Sequence, residues 1–84
     1  MKEFDEKTTG AIKCGKNLVL PIVLPMEDCF FKCSYMVCSN LIVEGKITSL
    51  FDLVVLGSVQ ANEIDVKGRF ICLGECEVKA SITV

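Results

Sequence analysis

The sequence predicts an all-β fold: a short β-helix or solenoid of about three to four triangular turns, preceded by an atypical N-terminal segment. Three observations predict it. A five-residue phrase (apolar, any, small, polar, apolar) recurs, most cleanly as Val43–Ile47, Val55–Val59, Val66–Phe70 and Cys72–Cys76. The small centres stand at Gly45, Gly57, Gly68 and Gly74, so the spacings are multiples of six with one slip. A fixed short period is the mark of a solenoid.

The second observation comes from completing that ruler, with centres at 45, 51, 57, 62, 68, 74 and 80 and, backwards, 39, 33, 27 and 21. Two residues after each centre stand Val23, Cys29, Tyr35, Leu41, Ile47, Leu53, Val59, Ile64, Phe70, Cys76 and Ile82. Every one is apolar or aromatic, in a chain of which only 51% is hydrophobic, so chance is a poor explanation. Two residues before the centres the chain is mostly apolar too (Val19, Phe31, Val37, Val43, Val55, Val66, Cys72, Val78), with Ser49 and Gln60 as misses.

Third, the residue after each centre is polar nearly throughout, among them Asp28, Asn40, Asp52, Ser58, Arg69 and Glu75. Alternation of period two places one set of side chains inward and the other outward. Segments of six residues are short for helices, so the pattern reads as short strands joined by bends. Three strands make a turn of 18 residues, or 17 across the slip. The small centres suit an inward position where three walls crowd, and glycine in a strand marks a bend or a close backbone approach. Phe51, a large residue at a centre, marks a looser corner.

In order along the chain, residues 1–17 form a lead-in or cap outside the repeat, and residues 18–84 a single solenoid domain. Lys7-Thr8-Thr9-Gly10 reads as a flexible lead-in and Ala11–Gly15 as a short strand. Leu18–Pro25, with Pro21 and Pro25, reads as a first, edge rung, since proline cannot donate to a ladder. Met26-Glu27-Asp28 reads as a turn, with a short helix over 27–35 as the competing reading. Phe30, Phe31 and Tyr35 form an aromatic plug at one end of the core. The predicted core is Val43, Ile47, Leu53, Val55, Val59, Ile64, Val66, Phe70, Cys72, Cys76, Val78 and Ile82. Nothing follows Ile82 in pattern to cap the last rung, and an unpaired rung invites a partner.

Composition narrows the function classes. One domain of 84 residues buries a modest core and gains from assembly. A net charge of −2 and a pI near 5.0 argue against nucleic-acid binding. The longest apolar run, Leu18–Met26, is nine residues, where a bilayer span needs about 20. The charged start Met1–Lys7 is unlike a signal peptide, which points to the cytoplasm. Six cysteines then read as thiols. Cys29, Cys33, Cys72 and Cys76 fall on predicted inward positions as small hydrophobes. Cys29-x3-Cys33-x4-Cys38 and Cys72-x3-Cys76 are loose for zinc, there is no histidine, and the thiols are read as lying on different walls, so no metal and no cofactor is expected. No nucleophile–base pair and no phosphate-cradling loop stands out, so the chain is read as no enzyme. Asp52 and Asp65 fall on outward positions.

One wall is expected to be apolar on its outside as well. Its outward positions are Met36 and Cys38, then Val54 and Leu56, then Ile71 and Leu73, with Leu20 opening the column. Another wall reads Ile42 and Glu44, then Ala61, then Glu77 and Lys79. The remaining wall reads Lys32, then Thr48 and Leu50, then Asp65 and Lys67. A contiguous apolar patch marks a binding face; a fold-back of residues 1–17 over it is the competing reading.

The stretch Leu53–Ala61, followed by Ile64-Asp65-Val66-Lys67-Gly68, resembles the bactofilins, the polymer-forming cytoskeletal proteins of bacteria, over roughly residues 41–84. The resemblance implies a triangular right-handed β-helix, filaments built end to end without nucleotide, and membrane association through a terminal segment. The hexad is also similar to the left-handed β-helix of hexapeptide acyltransferases, which rely on a histidine base that this chain lacks. The expectation is a self-associating, non-catalytic scaffold that forms a homo-oligomer, dimer or polymer. The alternative is a small binding or inhibitory module, from a mobile element, that grips another protein with the same wall. A zinc-stabilised module is a third reading.

Overall fold

A residue two places after a bend points inward, the next outward and the third inward again, and then the chain bends. That rule generates the fold. The computed structural model describes residues 2–5, 12–14, 17–20 and 27–84. The described residues form strands β1 (Lys2–Phe4), β2 (Ile12–Cys14), β3 (Asn17–Leu20), β4 (Cys29–Phe31), β5 (Tyr35–Val37), β6 (Leu41–Ile42), β7 (Lys46–Ser49), β8 (Leu53–Val55), β9 (Val59–Val66), β10 (Phe70–Cys72) and β11 (Cys76–Thr83), with no helix among them. The helical reading of 27–35 therefore gives way to a bend at Glu27 and two strands. Apart from the β2–β3 hairpin, all pairing is parallel, as in a β-solenoid.

Three walls follow from the register. The first stacks β1, β4, β7, the second half of β9 and the end of β11. The second stacks β3, β5, β8 and β10. The third stacks β6, the first half of β9 and the start of β11. Cys29 pairs with Ile47 after 18 residues, Ile47 with Ile64 after 17, and Ile64 with Ile82 after 18. There are thus about three coils, each of the length the six-residue ruler gives.

The core holds Phe31, Tyr35, Val37, Leu41, Ile47, Leu53, Val55 and Val59 at 0% exposure, with Val43, Ile64 and Val66 nearly so. Ser49 is also at 0%, stacked between Phe31 and Val66, and its hydroxyl donates to the Phe51 carbonyl at 3.0 Å. That bond offsets the cost of burying a polar group.

The small centres lie at the bends between walls, not at an inward strand position. Strands run from two residues past one centre to two residues before the next, so Leu53 and Val55 share β8 while Gly57 turns the corner. Crowding there comes from the coil beneath. A Cβ on Gly57 would meet the Ser39 carbonyl carbon at 2.8 Å and its oxygen at 2.9 Å, inside any real contact distance.

The slip also lies later than the ruler places it. Ala61 is 5% exposed and pairs with Val78, so it points inward. Gln60 is exposed, which explains why it breaks the apolar rule. The shortened bend falls after Ala61, where the ladder to β11 shifts between Val78 and Ser81.

The N-terminal segment departs from the ruler. β1 pairs with β4 across 27 residues (Lys2 with Cys29), because the hairpin of β2 and β3 intervenes. Phe4 stacks on Phe31 with ring centroids 4.6 Å apart, and Tyr35 lies edge-on to Phe4 at 6.0 Å. The Tyr35 hydroxyl donates to the Asp5 carbonyl. The plug is thus Phe4, Phe31 and Tyr35, while Phe30 lies half-buried on the outside. β3 is not an edge, since β2 covers its outer side in antiparallel pairing. Its register pairs Val19 with Met36 and Leu20 with Val37, one residue off the column assigned from sequence. Residues 6–10 and 21–26, with the flexible lead-in, Val23, Pro21 and Pro25, lie outside the described residues.

At the other end the predicted core thins out. Phe70, Cys72 and Val78 are only half-buried, Cys76 is exposed and Ile82 is 49% exposed. Cys76 and Ile82 are therefore rim residues, not core. Their counterparts Val59 and Ile64 are buried because each has a rung above it (Cys76 and Ile82), whereas no described residue stacks over Cys76 or Ile82.

Candidate interaction surface

Because β5, β8 and β10 pair in register, their middle residues line up on the outside of the second wall: Met36, Val54, Ile71. The residues that follow these strands, Cys38, Leu56 and Leu73, stand at the corner with the third wall. Met36 and Val54 are half-buried; Leu56 is 40% exposed, Ile71 45% and Leu73 68%. The structure thus places all six predicted surface residues on the outer side of one wall or its edge. On the opposite edge, at the corner with the first wall, Leu50 (42%) and Phe51 (54%) are exposed too. Sequence reasoning left these two out of the patch. The signal was Phe51 itself, a large apolar residue at a centre that is otherwise small.

The other two walls differ in chemistry. The first carries Phe30, Thr48 and Asp65 in register on its outside, edged by ion pairs Lys32–Glu3 at 3.0 Å, Lys46–Glu63 at 3.9 Å and Lys67–Asp65 at 3.7 Å. Lys32–Glu3 and Lys46–Glu63 are exposed pairs worth little in stability, while Asp65 is half-buried beside Lys67. The Glu3 carboxylate raises the Lys32 ammonium above its ordinary value through a hydrogen bond and its charge. The third wall carries Ile42, Gln60 and Glu77 over a shallow groove of about 500 Å³, edged by Glu44, Asn62 and Lys79. Ala61, assigned to that outer face from sequence, lies inside as described above.

The polar residue after each centre does more than face solvent. Asp28 accepts the Lys46 N–H at 2.8 Å, Asn40 the Ser58 N–H at 2.8 Å and Asp52 the Arg69 N–H at 2.8 Å. Ser58 accepts the Glu75 N–H at 3.2 Å. Each acceptor stands one coil beneath its donor, so short polar side chains clip the corners together. Asp52 is therefore a corner clip. Asp65 sits apart from it, on the outer face of the first wall beside Lys67.

The thiols are distributed as follows. Cys29 is buried, Cys33 is half-buried at a bend, and Cys38 is exposed on the second wall's edge. Cys72 closes β10 on the second wall and Cys76 opens β11 on the third, the separate walls read from sequence; the Cys76 thiol is raised by burial first, then by the charge of Cys72 and a hydrogen bond with it. Among the described residues no group of three or more His, Cys, Asp or Glu side chains comes together to hold a metal. No helix among them is long and apolar enough to cross a membrane.

With this geometry in hand, comparison with protein-family models, with curated proteins and with solved structures finds no match.

Proposed function

We propose that this chain is a non-catalytic, self-associating β-solenoid scaffold of the bactofilin kind, working in the cytoplasm. The observation that carries the reading is the outer face of the second wall, where Leu56, Ile71 and Leu73 are each at least 40% exposed in adjoining coils. A flat strand face of this kind matches a second copy of itself across a two-fold axis. Burying the exposed parts of these three side chains on both copies would stabilise a pair by on the order of 5–10 kcal/mol. Association itself costs about as much. These three side chains alone therefore only offset the cost of association, and a pair of micromolar strength draws in addition on the half-buried Met36 and Val54 of the same face.

Light scattering on the full chain across micromolar concentrations tests the reading. The scaffold predicts masses of two chains or more, and a shift toward one chain in the Leu56→Lys/Leu73→Lys double variant. A mass of one chain throughout would refute it. Assembly that survives the double variant would move the contact from the wall to the coil ends. A monomeric wild type whose wall captures a different protein would favour the binding-module alternative.

A further inference from the structure

On the first wall Lys32, Lys46 and Lys67 each face a carboxylate, and the second wall is apolar. The third wall differs from both. Glu44, Gln60, Asn62, Glu77 and Lys79 line one groove of about 500 Å³. Among the described residues, none of these five side chains makes a hydrogen bond or an ion pair. Val43 and Ala61, 3% and 5% exposed, give the groove an apolar floor. Its volume lies in the range of small-ligand sites.

The ladders arrange these groups in two columns. Ile42, Gln60 and Glu77 stack in register, one per coil. In the next column the Asn62 N–H donates to the Gly45 carbonyl at 2.9 Å, which sets Glu44 one coil beneath Asn62. Lys79 falls in the irregular step of β11 between Val78 and Ser81, one coil above Asn62. This second column therefore reads carboxylate, carboxamide, ammonium. Adjacent strands are spaced by about 4.8 Å, so the two opposite charges stand about 10 Å apart. Two carboxylates against one ammonium leave the groove one unit negative.

That order selects the ligand. A neutral sugar offers no charge to either Glu44 or Lys79. A nucleotide brings phosphates to a groove that is already negative. A hard divalent cation takes six or more oxygens, and no group of three acidic side chains forms among the described residues. A linear zwitterion with its charges about 10 Å apart satisfies both ends, and three extended residues span that distance at about 3.3 Å each. We propose that the third wall binds a short extended peptide with free ends, its amino terminus on Glu44 and its terminal carboxylate on Lys79. The carboxamides of Gln60 and Asn62 each offer a donor and an acceptor, which matches the peptide groups between those ends. Ile42, at the Glu44 end, takes an apolar first side chain, and Glu77, next to Lys79, takes a basic third one. Such a peptide carries one net positive charge, complementary to the groove. The groove lies on a different wall from the self-association face, so neither reading depends on the other.

Titration of the nitrogen-15-labelled full chain with the tripeptide leucyl-alanyl-lysine, followed by NMR, tests this. The side-chain amide signals of Gln60 and Asn62 shift and saturate, with half-saturation on the order of 1 mM, as two exposed ion pairs and a few hydrogen bonds allow. Acetylating the peptide's amine weakens binding about two- to fivefold, the worth of one exposed ion pair, and Glu44→Gln does the same. The two changes together weaken it no more than either alone, because they remove the same pair. Amidating the peptide's carboxylate and Lys79→Met behave likewise. Leu56→Lys/Leu73→Lys, on the second wall, leaves binding unchanged. Shifts that grow without saturating, acetylation and Glu44→Gln adding in full, or shifts confined to the second wall would each overturn the proposal.

Discussion

The side-chain oxygen of Asn40 accepts the backbone N–H of Ser58, 18 residues further on, at 2.8 Å. Ser58 then uses its hydroxyl to accept the Glu75 N–H in the next coil, at 3.2 Å. A bend turns its N–H away from the strand ladders, and a short polar side chain one coil beneath supplies the missing acceptor. The corners are therefore fastened by hydrogen bonds independent of the apolar core.

Removing a clip should cost what one such bond is worth. Asn40→Ala and Asp52→Ala each lower the unfolding free energy by about 1 kcal/mol, read from the urea midpoint at unchanged slope. Asn40→Asp keeps the acceptor and stays near wild type. Equal midpoints for Asn40→Ala and wild type would show that the clip is idle.

The corner glycines answer to space. In Gly57→Val the side chain collides with the Ser39 carbonyl group, which belongs to backbone and cannot swing away. A loss of about 1–3 kcal/mol is expected, as for overpacking in a core, and is measurable by thermal or chemical denaturation.

Burial by the rung above sets a gradient of sensitivity. Leu53 at 0% exposure has Phe70 above it and Tyr35 beneath, so Leu53→Ala should cost about 2–5 kcal/mol. Ile82 at 49% exposure should lose less than about 1 kcal/mol on the same truncation in dilute protein. Comparable losses at both positions would mean that Ile82 is covered in solution.

If the second wall mediates assembly, its contact is apolar and should ignore screening. Raising sodium chloride from about 0.05 to 0.5 M leaves the association constant unchanged, while sulfate strengthens it. Dissociation in sodium chloride would instead assign the contact to the charged first wall, with its Lys32, Lys46 and Lys67 pairs.

Much of this was legible in the sequence because a strand has an integer period. Ile47, Leu53, Val59 and Ile64 are read as inward by counting alone, and the same count put Met36, Val54 and Ile71 outside. Ala61 and Gln60 were misassigned because a shortened bend can be placed on either side of a small residue. The clips were hidden because an outward Asp or Asn has the same pattern whether it meets water or a backbone N–H. The exposure of Cys76 and Ile82 depends on what lies above them, which no residue count encodes.

Cross-coil NMR contacts test the central claim most directly, which is that the chain winds so that residues 17 or 18 apart sit side by side. The account predicts backbone contacts from Val54 to both Met36 and Ile71, and from Ile47 to both Cys29 and Ile64. Contacts from Val54 to hairpin neighbours in antiparallel register, with none to Met36 or Ile71, would contradict it.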